Sequence, residues 1–427
     1  MKAVRWIAAA FLSSDIAIRS TSQINIFPMI VDHVIVSQSS TSNNFIPYSL
    51  TASPSISFIQ NWLVEPAQAA TPPSQKNIEL LQQAMGTFYN QPPNYAKAQE
   101  LLTQTIDIWE DQPVDELAAL YRIRADCQMA LLSPNQARED YTKAIQLLQS
   151  SGGDKADPTE LPTAFLGRAR ATRSISVLQL DEAFSLKAAK DYQISLRFSS
   201  REQWDTDREN EEDGAAHNPY AAWEWGTSLR NAGLYRQAAE VHTLAGQSFD
   251  DIGDRPRAVI SQIDAGIDLA AEASNSPDIK NNDETKSFLS KAIAQSKGVE
   301  SQDIALLQRV IAKEGEGRMA LASILWSNPQ QRSGAEAELG EACSRLEQLQ
   351  MDAIARNAKS INKGNGAEKG KLSAVATVTK LKFSIDDQPG SDIDCSRFKN
   401  KRFLSETLQW PAPLQDSVQK LVNLAQK

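Results

Sequence analysis

Cysteine and histidine are scarce in this sequence, and their scarcity excludes several kinds of site. Of the 427 residues, three are cysteine and three are histidine. The cysteines, Cys127, Cys343 and Cys395, stand far apart in the chain. Without a Cys-x-x-Cys pair, neither a zinc knuckle nor a thioredoxin-like redox pair is expected. We interpret the cysteines as small buried apolar residues. A Cys343–Cys395 disulfide is the alternative that an oxidising compartment would allow.

The convergent polar groups that catalysis needs are also missing from the sequence. No nucleophile beside a base, no pair of carboxylates and no phosphate-binding loop is recognisable. The acidic stretch DTDREN lacks the glycine and the glutamate of a calcium loop, because those positions hold Asn210 and Ala216. His217 is expected at the surface and His242 in the core. The sequence therefore predicts no catalytic residue, no metal site and no cofactor.

A surplus of positive charge and a long apolar run are both absent. The formal net charge of −9 argues against non-specific binding to nucleic acid, which needs a basic surface. No run reaches the ~20 apolar residues of a membrane-spanning helix. With 41% apolar and 23% charged residues, the composition is typical of globular domains. The length allows two to three units of domain size.

Residues 1–70 differ in composition from the rest and are interpreted as a targeting leader. They contain twelve serines and no convincing helical period. The A-x-A sequence at 67–69 fits a signal-peptidase site, so we expect cleavage between Ala69 and Ala70. An apolar stretch at 6–12 behind basic residues fits a first signal, which predicts a bipartite leader to a plastid or its thylakoid lumen. The alternative is a secreted or cytoplasmic protein with a disordered N-terminus.

Five segments share one spacing of small residues, which is the main structural signal. In each segment two small residues stand twelve positions apart, and a larger residue follows each of them. Small side chains on facing helices let two backbones approach closely, so the spacing predicts helical hairpins. The five pairs are Gly86 and Ala98, Ala125 and Ala137, Gly226 and Ala238, Gly246 and Ala258, and Ser323 and Ala335.

This pattern resembles the tetratricopeptide repeat (TPR), a helix-turn-helix unit of about 34 residues. The resemblance implies an all-α fold, a right-handed α–α superhelix of degenerate TPR-like hairpins over residues 71–357. A related array of helical hairpins is the alternative. The step from Ala238 to Ala258 is shorter than one repeat. It predicts three successive helices at about 219–232, 235–252 and 255–272, with the middle helix shared by two hairpins.

The C-terminal part of the chain is expected to close the array. Residues 358–373 are rich in Lys, Gly and Asn and are interpreted as a flexible linker. Residues 374–386 suit a strand or a helix equally. The last helix has an apolar stripe, and we interpret residues 374–427 as a capping segment, because an open helical stack needs its last face covered.

The stretches NPYAAWEWGTSLRNAGLYRQAAEVH and FLSETLQWP are similar to those of a family of plastid repeat proteins of plants and algae. That resemblance implies a non-enzymatic, protein- or peptide-binding scaffold in assembly or maintenance of photosynthetic complexes. The alternatives are a chaperone-like or structural subunit without a single groove ligand, and an enzyme subunit with an unrecognised site. No nucleic acid and no integral membrane span are expected.

The first helix of the Gly226 hairpin carries the candidate binding residues. Aromatic and arginine side chains together are typical of a binding surface, and here they recur on one side of a helix. The candidates on the concave face are Tyr220, Trp223, Thr227, Arg230 and Asn231. Packing of Trp223 against the neighbouring hairpin is the alternative. The acidic stretch 202–213 predicts a partner with basic segments. Arg122 and Asp126 stand where some relatives clamp a carboxylate, and an aspartate there would repel one.

Overall fold

The chain divides into two compact units, Met1–Leu178 and Gln179–Lys427. A computed structural model describes residues 73–110, 112–150, 160–198, 214–215, 217–275, 279–301, 303–345 and 398–424. The expected leader, the expected linker, the stretch 374–386 and Cys395 lie outside these residues.

Unit 1 is built of helical hairpins whose ends follow local signals in the sequence. Its helices are α1 (Gln75–Tyr89), α2 (Tyr95–Ile108), α3 (Val114–Ala130), α4 (Pro134–Ser150) and α5 (Glu160–Gln179). Ser74 and Asn94 cap α1 and α2 with their side-chain oxygens. Pro134 begins α4, where its missing N–H is harmless. Helices α1, α2 and α3 each pack against the next one in the chain.

Unit 2 continues the same construction and adds the C-terminal segment. Its helices are α6 (Glu182–Phe198), α7 (Pro219–Asn231), α8 (Tyr235–Asp251), α9 (Arg255–Asn275), α10 (Ile279–Ser296), α11 (Ile304–Trp326), α12 (residues 332–345) and α13 (Ala412–Leu424). No strand occurs in the described parts of either unit, and the all-α helical-repeat prediction is confirmed. The three predicted successive helices are α7, α8 and α9, and α8 packs against both of its neighbours.

Three turns share one backbone geometry, and this explains the spacing of twelve. Leu132, Gly233 and Gly253 have φ of 58°, 76° and 80°, the left-handed conformation that ends a helix. In each turn the next residue donates its N–H to the carbonyl five residues earlier, at 2.8 to 3.0 Å. Each left-handed residue follows one small residue by seven positions and precedes the next by five. The repeated spacing is therefore a repeated turn.

Nine of the ten small signature residues are buried, as expected for sites of close helix approach. A Cβ built on Gly226 would lie 2.6 Å from the His242 ring, and one on Gly246 would lie 2.8 Å from the Gln262 amide. Gly86 is the exception and the prediction was wrong there. It is exposed, with nothing within 4 Å of a built Cβ. Ala84 and Phe88 take the inner positions of α1 instead. The small residue that faces the core in α1 is therefore Ala84 and not Gly86.

The C-terminal segment belongs to the core of unit 2. Helix α13 packs against α9 and α11. Phe398, Leu404 and Leu414 are fully buried in one cluster with Ile263 of α9 and Met319 of α11. A single-turn π-helix, Phe403–Thr407, leads into the segment that carries the buried Trp410.

We predict opposite effects of alanine at two glycines. Gly226→Ala should lower stability by about 1–3 kcal/mol, because the new methyl group overlaps the buried His242 ring. Gly86→Ala should leave stability unchanged or raise it by about 0.5–1 kcal/mol, because the site is open and alanine favours a helix. Chemical denaturation of both full-length variants measures this. Equal effects would contradict the close approach at Gly226.

Candidate functional site

The candidate binding residues of α7 lie on one side of the helix, but they are not equally accessible. Tyr220, Trp223 and Asn231 are half-buried. Thr227 and Arg230 are each only 4% exposed. The expectation that these two face a ligand is corrected, because an imidazole of α8 and two carboxylates of α9 surround them. The other three stay candidates.

The guanidinium of Arg230 contacts two buried aspartates of α9. Its Nε donates to Asp268 Oδ1 at 2.5 Å, and its Nη2 donates to Asp264 Oδ1 at 3.1 Å. Nη2 also donates to the Asp264 backbone carbonyl at 2.9 Å. Charge-assisted bonds in this forked geometry are strong and directional. Arg230 therefore fixes α7 against α9.

His242 of α8 joins the same carboxylates. It is fully buried, as predicted, and its Nδ1 lies 2.6 Å from Asp268 Oδ2. On its other edge, Nε2 lies 3.4 Å from the Thr227 hydroxyl. Gly226 makes room for the ring, since any Cβ there would overlap it.

Thr227, His242 and Asp268 thus stand in the order hydroxyl, imidazole, carboxylate that some hydrolases use. Three observations assign them a structural role here. The Thr227 hydroxyl donates to the Trp223 backbone carbonyl at 3.1 Å, so its proton is not offered to the imidazole. Asp268 is shared with Arg230. All three side chains are at most 4% exposed, which leaves a substrate no access to the hydroxyl.

Asp264 and Glu316 extend the buried charges to α11 and the C-terminal segment. Trp223 Nε1 donates to Asp264 Oδ2 at 3.0 Å, and Lys313 Nζ lies 3.3 Å from Asp264 Oδ1. Lys313 also donates to Glu316 Oε2 at 2.8 Å, and the Trp410 indole donates to the same oxygen at 3.1 Å. We call the seven residues Trp223, Arg230, His242, Asp264, Asp268, Lys313 and Glu316 the Asp264 network.

The positive groups of the network decide its electrostatics. Burial opposes ionisation of Asp264, but Lys313 and Arg230 outweigh burial and hold the pKa of Asp264 well below its usual range. Burial also opposes the charge on Lys313, and Asp264 and Glu316 reverse that effect and raise the pKa of Lys313. Both groups are therefore charged at neutral pH.

Two members of the network, Trp223 and Lys313, are partly exposed, and with neighbouring side chains they form a surface that we call the aromatic–basic face. It consists of Tyr220 and Trp223 of α7, Arg257 of α9, and Arg309 and Lys313 of α11. The Arg257 guanidinium lies 5.3 Å from the centre of the Tyr220 ring. Burial raises the pKa of Tyr220, and the charges of Arg257 and Arg309 oppose that rise, which places both cations near the phenol.

Sequence reasoning missed Asp264, Asp268, Lys313 and Glu316. A signal for the first two was present: two aspartates four residues apart interrupt the otherwise apolar run IDAGIDLAA of α9. Carboxylates in such a run are rarely buried unless they are paired. Their partners come from α7 and α11, far away in the sequence.

Unit 1 has a smaller buried charge cluster around Arg122. Its guanidinium donates to Glu160 at 2.7 Å and to Asp126 at 3.1 Å. Tyr141 donates its hydroxyl to Asp126 at 2.5 Å, and a Cβ on Gly167 would overlap the Tyr141 ring. Arg122 and Asp126 are thus engaged with each other and with neighbouring helices.

The cysteines and the other described side chains add few constraints on function. Cys127 is a buried free thiol, and Cys343 is disulfide-bonded. Within the described ranges, no group of three or more His, Cys, Asp or Glu side chains is placed to hold a metal ion. Nor does the described part of the chain contain a helix long and apolar enough to cross a membrane.

Comparisons with known proteins leave the family open. No protein-family model matches the chain, and no curated protein matches its sequence. Among solved structures, the chain is similar to one described as the crystal structure of BtubC (BKLC) from P. vanneervenii. The sequences are 13% identical, the TM-score is 0.39, and the match covers 69% of this chain and 95% of that one. A structural similarity this low supports no inference about function.

We predict that Asp264→Asn destabilises unit 2 by about 3–5 kcal/mol at neutral pH. The amide removes one charge from a buried group that faces three donors, which leaves Arg230 and Lys313 under-compensated. As a control, Asp283→Asn should change stability by about 1 kcal/mol or less, because Asp283 is 71% exposed in its pair with Lys286.

The pH dependence follows from the lowered pKa of Asp264. A carboxyl group whose pKa is depressed by folding stabilises the folded state above its unfolded value, about 3.9. That stabilisation is lost as the pH falls towards the folded value. Urea denaturation from pH 7 to pH 3 measures the free energy of unfolding of wild type and of Asp264→Asn. The difference between these two free energies should become smaller below about pH 4. A difference independent of pH would contradict the ionised state of Asp264.

Proposed function

We propose that this chain is a non-enzymatic scaffold of TPR-like hairpins that binds a protein or peptide on the aromatic–basic face. The observation that carries the proposal is the partial exposure of Tyr220 and Trp223 beside the cations Arg257, Arg309 and Lys313. Tyrosine, tryptophan and arginine dominate the binding energy of protein interfaces. Their fixed positions reduce the ordering entropy that binding would otherwise cost.

The TPR-like part of the proposal rests on the recurring turn. Leu132, Gly233 and Gly253 occupy equal positions in three hairpins, with small buried residues at equal distances on either side. Hairpins that repeat in this way stack on their neighbours, and a stack offers continuous surface for a partner. The short step between Ala238 and Ala258 departs from a regular repeat.

The cellular part of the proposal is a role as assembly or maintenance factor for photosynthetic complexes in a plastid, in the thylakoid lumen or the stroma. It is supported by the sequence resemblance and by the A-x-A sequence before Ala70. Native protein should begin near Ala70, because signal peptidase cleaves after small side chains. N-terminal sequencing of protein purified from its organism measures this, and a start at Met1 would contradict plastid import.

A structural subunit without a groove ligand is the second candidate function. The burial of Thr227 and Arg230 favours it, because two of the five expected binding residues stabilise the fold instead.

A pull-down separates the two functions. We expect Tyr220→Ala with Arg309→Ala to reduce recovery of the partner about tenfold or more, since each tenfold corresponds to 1.4 kcal/mol. Tyr89→Ala is the matched control, because Tyr89 is 43% exposed and lies in unit 1. Affinity purification with quantitative mass spectrometry measures recovery, and circular dichroism verifies the fold. Equal recovery of the partner with the double variant and with the Tyr89→Ala control would favour the structural role.

A further inference from the structure

The aromatic–basic face has three accessible cations and one accessible carboxylate, Asp254, which is 17% exposed and paired with Arg257, although the residues beneath the face are largely acidic. Arg309 is exposed, and the side chains of Arg257 and Lys313 are 31% and 17% exposed. The carboxylates behind them, Asp264 and Glu316, are 1% and 5% exposed. A ligand at this surface therefore meets more cations than carboxylates.

Two of these cations, Lys313 and Arg257, are held in place before any ligand arrives. Lys313 lies between Asp264 and Glu316, at 3.3 and 2.8 Å. Arg257 is paired with Asp254 and lies against the Tyr220 ring. Side chains that are already ordered lose little entropy on binding, which favours recognition of a charged group.

The aromatic side chains add an apolar contact next to the cations. Tyr220 and Trp223 are three residues apart on α7, so they face the same side of that helix. Arg309 and Lys313 are four residues apart on α11 and share a side in the same way. Tyr220 packs edge-on against Phe249 at 5.0 Å, and the Trp223 indole is bonded to Asp264. Both rings therefore have defined orientations.

We propose that the aromatic–basic face binds an acidic segment of a partner protein, one that carries carboxylates beside an apolar side chain. This inference rests on the proposed function and names the chemistry of its partner. It replaces the basic partner predicted from the acidic stretch 202–213. Opposite charges across an interface mainly set specificity and association rate, so binding should weaken as salt rises.

The test uses the full chain labelled with 5-fluorotryptophan, with the Trp223 signal assigned from Trp223→Phe. Two capped pentapeptides serve as probes, with four glutamates or four lysines around a central leucine. The glutamate peptide should shift the Trp223 signal, and the lysine peptide should not. Raising the salt from 50 to 300 mM should weaken the glutamate peptide's affinity several-fold, since the Debye length shortens.

Variants that remove single positive charges test whether the glutamate peptide binds at the aromatic–basic face. Arg309→Gln should weaken the glutamate peptide about threefold or more, and adding Lys313→Gln should weaken it about tenfold. Lys286→Gln is the matched control and should change nothing. Lys286 is 16% exposed and ion-paired like Lys313, but it lies on α10 outside this face. Arg309 is exposed, so its variant keeps the test valid even where loss of Lys313 disturbs the fold.

Three outcomes would overturn the inference: no shift with the glutamate peptide, equal binding of the lysine peptide, or binding that survives both substitutions. Each of them can be distinguished from failure of the proposed function. A partner recovered through Tyr220 and Arg309 in the pull-down, without any preference for the glutamate peptide, leaves the scaffold function standing and refutes the acidic partner.

Discussion

The contacts of the buried Asp264 carboxylate with its donors are the interaction on which the rest of unit 2 depends. The carboxylate accepts hydrogen bonds from Trp223 and Arg230 of α7 and lies beside Lys313 of α11. An ionised group with 1% exposure costs several kcal/mol to bury unless its partners compensate for the lost water. A shift of α7 by one helical turn would remove two of those partners together. The network therefore penalises any other register of the three helices.

Small residues make this network geometrically possible. His242 reaches Asp268 across the site where Gly226 has no side chain, and the Nδ1–Oδ2 distance of 2.6 Å depends on that close approach. In α9, Gly266 similarly receives the Leu289 side chain, since a Cβ there would lie 2.5 Å from it. Close packing and ion pairing thus act together: the glycines set the distance between helices, and the charges set their register.

The C-terminal segment completes the same network from the far end of the chain. Trp410 donates to Glu316, and Gln409 accepts from Asn231 at 3.0 Å. Gln409 has a φ of 51°, a left-handed backbone conformation that residues other than glycine rarely adopt. Neighbouring contacts must hold this conformation in place. Trp410, which is 3% exposed, thus covers part of the buried charge of the network.

Local features of the structure could be predicted from the sequence. The helix class, the bounds of α7, α8 and α9 and the burial of His242 follow from spacing and from turn residues such as Gly233 and Gly253. Those signals act within about twelve residues, where the chain itself brings the groups together. Gly86 shows the limit, because one small residue on an amphipathic helix does not reveal which side is covered.

What only the tertiary structure decided was the use of the charged side chains. Sequence reasoning placed Arg230 on a binding surface and overlooked Asp264, because neither residue shows alone that it will be paired. Their pairing joins residues 34 positions apart, and Glu316 meets Trp410 across 94 positions. A buried charge is stable only when its partners arrive from other helices. The sequence by itself determined the helices and their turns, whereas the packing of distant helices decided which charges became core and which stayed exposed.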